Sequence, residues 1–140
     1  MTNKPIRILL ADDHKMARES WKTLLENNPG FQVVADCDNG ADAVEKAGEL
    51  LPDIALVDIN MSPQHGFAVT EAIATRFPSV KVIGLSANDQ PKYANRMLEL
   101  GASGYLTKTS SLEEIHRGIE EVYNGRVYIC EEIKRYLSAE

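Results

Sequence analysis

Residues 6–13 read IRILLADD and residues 53–58 read DIALVD. Each is an aliphatic, β-branched run without polar alternation, closed by carboxylates. A strand that is apolar on both faces belongs inside a sheet covered on both sides, and VKVIGL at 80–85 repeats the pattern. FQVVAD at 31–36 and SGYLT at 103–107 complete five candidate strands. Helical periods separate them. Ala17, Trp21, Leu24 and Leu25 share one face before Asn28-Pro29-Gly30 breaks the helix. Ala94, Met97, Leu98 and Gly101 form a second such set, and Leu112, Ile115, Ile119 and Val122 a third, with Ser110 or Ser111 as its cap. Helices near 41–50 and 66–77 fill the remaining gaps. Five strands alternating with five helices predict an α/β fold with a doubly wound parallel sheet.

The rest of the chain bounds the function. One hundred and forty residues is the size of one domain, and 44% hydrophobic with 26% charged residues excludes fibrous, low-complexity and disordered classes. No apolar run approaches the roughly 18 residues of a membrane span, and Asp12 and Asp13 interrupt any signal-peptide core, so a soluble, cytoplasmic chain is expected. A net charge of −6 gives no basic face for nucleic acid. Cys37 and Cys130 lack CxxC spacing and read as reduced, packed thiols. The histidines at 14, 65 and 116 are too scattered for a zinc site.

Parallel α/β sheets carry their chemistry at the carboxyl ends of the strands. Those ends hold Asp12-Asp13, Asp36, Asp58, Ser86 and Lys108. Taken singly, each has an ordinary explanation: the acidic pair as a helix cap, Asp58 as a turn former, Ser86 and Lys108 as solvated polar groups. Together they supply complementary charges along one edge. Clustered carboxylates need a compensating cation, and a hard divalent ion such as Mg²⁺ suits oxygen ligands. Phosphoryl transfer needs such a set, with cation, ammonium and hydroxyl around the equatorial oxygens and a carboxylate as nucleophile. Asp58, alone at the tip of a buried strand, is the best-placed nucleophile, and Asp12 with Asp13 the metal-holding pair.

The chain resembles the receiver domain of bacterial two-component response regulators. The resemblance rests on the acidic pair in ILLADDHK, Asp58 in PDIALVDINM, Gly66 eight positions later, Ser86 in VIGLSA, and Tyr105 with Lys108 in GASGYLTK. It spans residues 5–126 and implies a flavodoxin-like sheet of five strands in the order 2-1-3-4-5. It also implies that Asp58 is the phosphoacceptor, and that Mg²⁺ is held by Asp13, by Asp12 through a water, by Asp58 and by the Asn60 backbone carbonyl. Lys108 and Ser86 would contact the phosphoryl oxygens, and Tyr105 would be the switch aromatic that turns inward as Ser86 does. The implied partners are a sensor histidine kinase, docking near Met16–Ser20 and the loop after the fifth strand, and a second receiver after phosphorylation.

LLADDHKMARESWKTLLE, GASGYLTK and NGRVYI are most similar to the NarL/FixJ-type transcription factors, in which a LuxR-type helix-turn-helix domain follows the receiver. The expected division is a receiver over 1–126 and a C-terminal helical extension over 127–140, with a helix near 130–138; the favoured reading is a fragment whose extension leads toward a DNA-binding domain absent from these residues, the alternative a stand-alone receiver. Two departures stand out. The proline after Asp58 falls at Pro63, one position late, and Thr109 follows Lys108 where many members carry a proline preceded by a cis bond, which costs about 2.5–4 kcal/mol before any other residue. Asn60 and Asn88 flank the expected phosphoryl site as candidates for positioning hydrolytic water.

Two rivals fare worse. A haloacid-dehalogenase-type phosphatase places its nucleophile in a DxD motif after the first strand, whereas here the acidic pair comes first and Asp58-Ile59-Asn60 later. A flavin-binding flavodoxin-like module needs a Ser/Thr/Gly-rich phosphate loop after the first strand, where ADDHK would repel an anion.

Overall fold

A computed structural model describes residues 4–61, 65–87 and 91–137. In chain order the elements are β1 (Ile6–Ala11), α1 (Lys15–Glu26), β2 (Phe31–Cys37), α2 (Gly40–Leu50), β3 (Ile54–Asp58), α3 (Gly66–Arg76), β4 (Lys81–Ser86), α4 (Pro91–Glu99), β5 (Gly104–Thr107), α5 (Leu112–Tyr123), β6 (Tyr128–Ile129) and α6 (Glu131–Leu137). All strand pairings are parallel, and the sheet order is β2-β1-β3-β4-β5-β6.

The expected order 2-1-3-4-5 is present with one correction: among the described residues the sheet has six strands, not five. The sixth holds only two residues, too few for any periodicity to register. It forms because the Tyr128 N–H donates to the Ser103 carbonyl and the Cys130 N–H to the Tyr105 carbonyl, both at 3.0 Å. The chain reaches that edge through a turn at Gly125, whose φ of 92° is the left-handed conformation glycine tolerates.

The interior strands are as apolar as their sequences require. Every side chain of β3 is buried, and β1 is buried from Ile8 through Ala11. Helices then cover both faces through single stripes. Trp21 and Leu25 of α1, Ala94 and Met97 of α4, and Ile115, Ile119 and Val122 of α5 all join the core. Three residues counted in the apolar stripes face water instead: Leu24 and Leu112 are exposed at the margins of α1 and α5, and Gly101 is exposed just past α4. Local signals end the helices. The Asn28 side chain accepts from the Gly30 N–H at 2.8 Å, closing the turn after α1. Ser111, rather than Ser110, caps α5 by accepting from the Glu114 N–H at 3.1 Å. The Asn39 side chain caps α2 through the Asp42 N–H at 2.9 Å. Leu51 ends α2 at φ 45°, and Arg7 from β1 binds the last carbonyls, Leu50 O at 2.9 Å and Leu51 O at 3.1 Å.

Candidate functional site at the carboxyl edge

The parallel arrangement delivers four strand ends to one edge. Asp12 follows β1, Asp58 closes β3, Ser86 closes β4, and Lys108 follows β5. Asp12, Asp58 and Ser86 are all buried, the two carboxylates at 0% and 1% exposure. Ionised carboxylates at that depth require a partner. Lys108 is that partner: its Nζ lies 3.3 Å from Asp12 Oδ2 and 3.2 Å from Asp58 Oδ2. Asp58 Oδ1 accepts the Asn60 N–H at 3.0 Å. Burial pushes the Asp58 carboxyl above its ordinary value, with the Asn60 N–H and the Lys108 ammonium pulling the other way and the Asp12 charge adding to the rise. A buried carboxylate held between an ammonium and a backbone N–H is an arrangement that can act as a nucleophile.

The acidic loop has its own scaffolding. Asp12 Oδ1 accepts the His14 N–H at 2.9 Å, the Asp12 N–H donates to the Cys37 carbonyl at 3.0 Å, and Arg18 from α1 donates to the Asp12 carbonyl at 2.8 Å. The His14 ring, read in the sequence as one of three scattered histidines, belongs to this cluster: its Nδ1 is 3.3 Å from Asp12 Oδ1 and 3.1 Å from Asp13 Oδ1. Ligand atoms of Asp12, Asp13, His14 and Asp58 all lie within 4.8 Å of one another. Carboxylate oxygens predominate in that set, which fits a hard divalent cation. The chain position of His14, directly after the acidic pair, was the available signal. Asp36, also near a strand end, stands apart and pairs with Lys22 at 3.4 Å.

Two loops hold the edge in shape. The Gly66 N–H donates to the Ile59 carbonyl at 3.0 Å, bringing the start of α3 against the backbone that follows Asp58. A Cβ on Gly66 would stand 2.4 Å from Ile59 Cα and 2.7 Å from the Asp58 carbonyl, so only glycine fits. After β5, the Lys108 N–H donates to the Ser86 carbonyl at 2.7 Å. Thr107 Oγ1 lies 3.2 Å from Thr109 Oγ1 and 3.1 Å from Ser110 Oγ. These hydroxyls brace the turn at the position where Thr109 departs from the commoner proline. Ser62, Pro63 and Asn88 lie outside the described residues, so neither the shifted proline nor the proposed role of Asn88 is placed.

Tyr105 is wholly buried, beyond the half-buried position of an ordinary edge-strand aromatic. Burial pushes its phenol up to about 12, and the Ser86 side chain beside it opposes the rise. The tyrosine and the serine expected to move together are therefore neighbours.

The chain matches the family described as "Response regulator receiver domain" over residues 8–120. It is 38% identical to "Transcriptional regulatory protein DegU" of Brevibacillus brevis over 96% of this chain and 57% of that protein. It is 34% identical to "Response regulator GacA" of Pseudomonas viridiflava over 95% of this chain and 62% of that one. The chain thus spans about three-fifths of the length of these relatives. Among solved structures it superposes on a two-component response regulator of the LuxR family from Aurantimonas sp. SI85-9A1 with a TM-score of 0.93 at 29% identity, covering 97% of each chain. It superposes on the receiver domain of the putative response regulator NarL from Mycobacterium tuberculosis with a TM-score of 0.84 at 32% identity, over 89% of this chain and all of that one. Sheet order, edge chemistry and these likenesses agree, and the chain belongs to the receiver-domain family of two-component response regulators.

Proposed function

We propose that this receiver takes a phosphoryl group on Asp58 from the phosphohistidine of a sensor kinase and uses it to reset the Ser86–Tyr105 region. The observation that carries the reading is the pairing of a buried strand-end carboxylate with Lys108, which also holds Asp12. An Asp58 oxygen attacks the phosphorus, the bond from phosphorus to the donor's imidazole nitrogen breaks, and the imidazole leaves with the electron pair and takes up a proton. The product is an acyl phosphate. Lys108 follows the charge from the carboxylate to the phosphoryl oxygens, and the Ser86 hydroxyl donates to one of them. Water attacking the same phosphorus later releases inorganic phosphate and restores Asp58.

Asp12, Asp13, Asp58 and the Asn60 carbonyl would hold Mg²⁺, with His14 beside them. When bound, the ion would neutralise the carboxylates and offset charge on the transferring group. The protein is then a signalling phosphoacceptor that promotes its own phosphorylation and dephosphorylation, rather than an enzyme acting on a separate substrate. The phosphoryl group adds about −1.5 to −2 of charge, enough to bias a two-state element.

The relatives' names support a transcriptional output, reached through a DNA-binding domain beyond residues 1–126, with 127–140 as the extension toward it. Met16, 81% exposed on α1 near the acidic loop, fits the kinase-docking surface expected around Met16–Ser20. Dimerisation on phosphorylation belongs to the same reading. A cytoplasmic location fits too, since no helix among the described residues is long and apolar enough to cross a membrane.

The test is intact mass after incubation with Mg²⁺ and acetyl phosphate, on wild type and Asp58→Asn. Wild type should gain one phosphoryl group, the variant none, and a chelator should abolish the gain. No gain in folded wild type, or a gain retained by Asp58→Asn, overturns the assignment.

A further inference from the structure

The acidic loop carries one donor that a magnesium site does not need. His14 stands at the N-cap of α1, where a side chain ordinarily accepts a backbone N–H of the first helical turn, yet its ring makes no capping hydrogen bond. The ring turns to the carboxylates instead, with Nδ1 3.3 Å from Asp12 Oδ1 and 3.1 Å from Asp13 Oδ1. Two donors about 2.1 Å from one ion, at right angles about it, stand about 3.0 Å apart. Both separations are close to that spacing, and donor atoms of Asp12, Asp13, His14 and Asp58 all fall within 4.8 Å of one another.

Backbone contacts hold this donor set in place. The His14 N–H donates to Asp12 Oδ1 at 2.9 Å, and the His14 carbonyl accepts the Arg18 N–H at 2.9 Å. The Arg18 guanidinium in turn fixes the Asp12 carbonyl. Lys108 takes the other Asp12 oxygen, Oδ2, so its ammonium and the His14 ring address different atoms of that carboxylate. The side chains of His14 and Asp13 are 68% and 22% exposed, which leaves this part of the cluster open to an incoming ion. A donor set already ordered spares the ion the cost of assembling it. With no ion bound, Nδ1 can donate its proton to the carboxylates; as a ligand it uses its lone pair, with the ring proton on Nε2.

Imidazole separates the divalent ions. Mg²⁺ takes oxygen ligands and keeps its waters, whereas the first-row transition ions accept imidazole nitrogen readily. We propose that His14 is a metal ligand of this site, beside Asp13 and Asp58, and fits it to a divalent transition ion, Mg²⁺ being held through the oxygens alone. The inference rests on the cation reading given above and adds to it a ligand and a class of ion. A ring that served only to pair with the carboxylates would affect every divalent ion alike.

Calorimetric titrations of the tag-free chain with Co²⁺ and with Mg²⁺, on wild type and His14→Ala, test the assignment. The variant should bind Co²⁺ about 10–100-fold more weakly, the range that loss of even a group supporting a metal ligand produces. Its Mg²⁺ affinity should fall by no more than about twofold, because that ion keeps its oxygen donors, and this also shows that the edge remains folded. In wild type, bound Co²⁺ should shift one exchangeable ring N–H proton far downfield in the ¹H NMR spectrum, and His14→Ala should lack that signal. Equal losses for the two ions, an undiminished Co²⁺ affinity, or a shifted proton absent from wild type or retained by the variant overturns the proposal. Binding of neither ion by folded wild type would instead remove the cation reading, and this proposal with it.

Discussion

Replacing Lys108 by methionine keeps most of the side chain's volume and removes the ammonium between two buried carboxylates. Its Nζ lies 3.3 Å from Asp12 and 3.2 Å from Asp58. At an effective dielectric near 20 each contact corresponds to about 5 kcal/mol of Coulomb attraction. Much of that is cancelled by desolvation of the ammonium and by water reaching a lysine that is 22% exposed. Breaking a buried pair by removing one partner costs about 3–5 kcal/mol, and with partial exposure a loss of about 2–4 kcal/mol is expected without metal. Urea unfolding at pH 7 measures it, with an unchanged slope showing that the same surface is exposed. Mg²⁺ should stabilise the variant more than wild type, because it meets an acidic cluster that no ammonium shares. A tenfold gain in affinity would appear as about 1.4 kcal/mol. Lowering the pH should also help. Asp58 already titrates above its ordinary value in the folded state, so the stability linked to its proton is complete below the unfolded value and lost as pH rises through the folded one. The variant's deficit should therefore shrink toward acid. Equal stability of variant and wild type without metal, or equal stabilisation of both by Mg²⁺, would refute the electrostatic account of the site.

Three further outcomes follow from particular contacts. Gly66→Ala forces a Cβ to within 2.4 Å of Ile59 Cα, so it should cost about 1–3 kcal/mol in thermal unfolding and weaken Mg²⁺ binding by displacing the backbone after Asp58. Burial, then the Asp42 and Asp36 charges, push the Cys37 thiol up to about 11 from 9.0. Stability linked to its proton is complete below pH 9 and is lost as pH rises toward 11, by at most about 2–3 kcal/mol, and Cys37→Ala should flatten that part of the pH–stability curve. Leu51→Asn relieves a left-handed residue at φ 45° whose side chain is half exposed, and should raise stability by about 0.5 kcal/mol, read as a higher Tm.

The legible parts of the molecule were those governed by local pattern. IRILLA and IALVD have nowhere to go but the interior of a parallel sheet, because they offer no polar face to water. Once the strands are parallel, their carboxyl ends share an edge, and Asp12, Asp58, Ser86 and Lys108 meet there. Ser111 was legible as a cap only to within one residue, since both serines offer a hydroxyl and the backbone geometry selects between them; Ser110 turns to Thr107 instead.

The contacts that escaped the sequence join residues far apart or leave no period. Arg18 on the Asp12 carbonyl is a side chain meeting a backbone atom, and no composition signals it. Glu114 reads as a first-turn acid favoured by the helix dipole, yet it also anchors Tyr128 and the start of α6. The β6 pairing joins Tyr128 to Ser103, and two residues carry no alternation to recognise. Sequence alone determined the layers and the chemistry of the strand ends, because hydrophobic period acts locally, while the order of the first five strands came only from the resemblance to receiver domains. Tertiary structure decided that His14 joins the acidic cluster, that Lys108 spans two carboxylates, and that the C-terminal segment adds a strand beside β5. Those outcomes depend on distances between elements, which exist only once the sheet has formed.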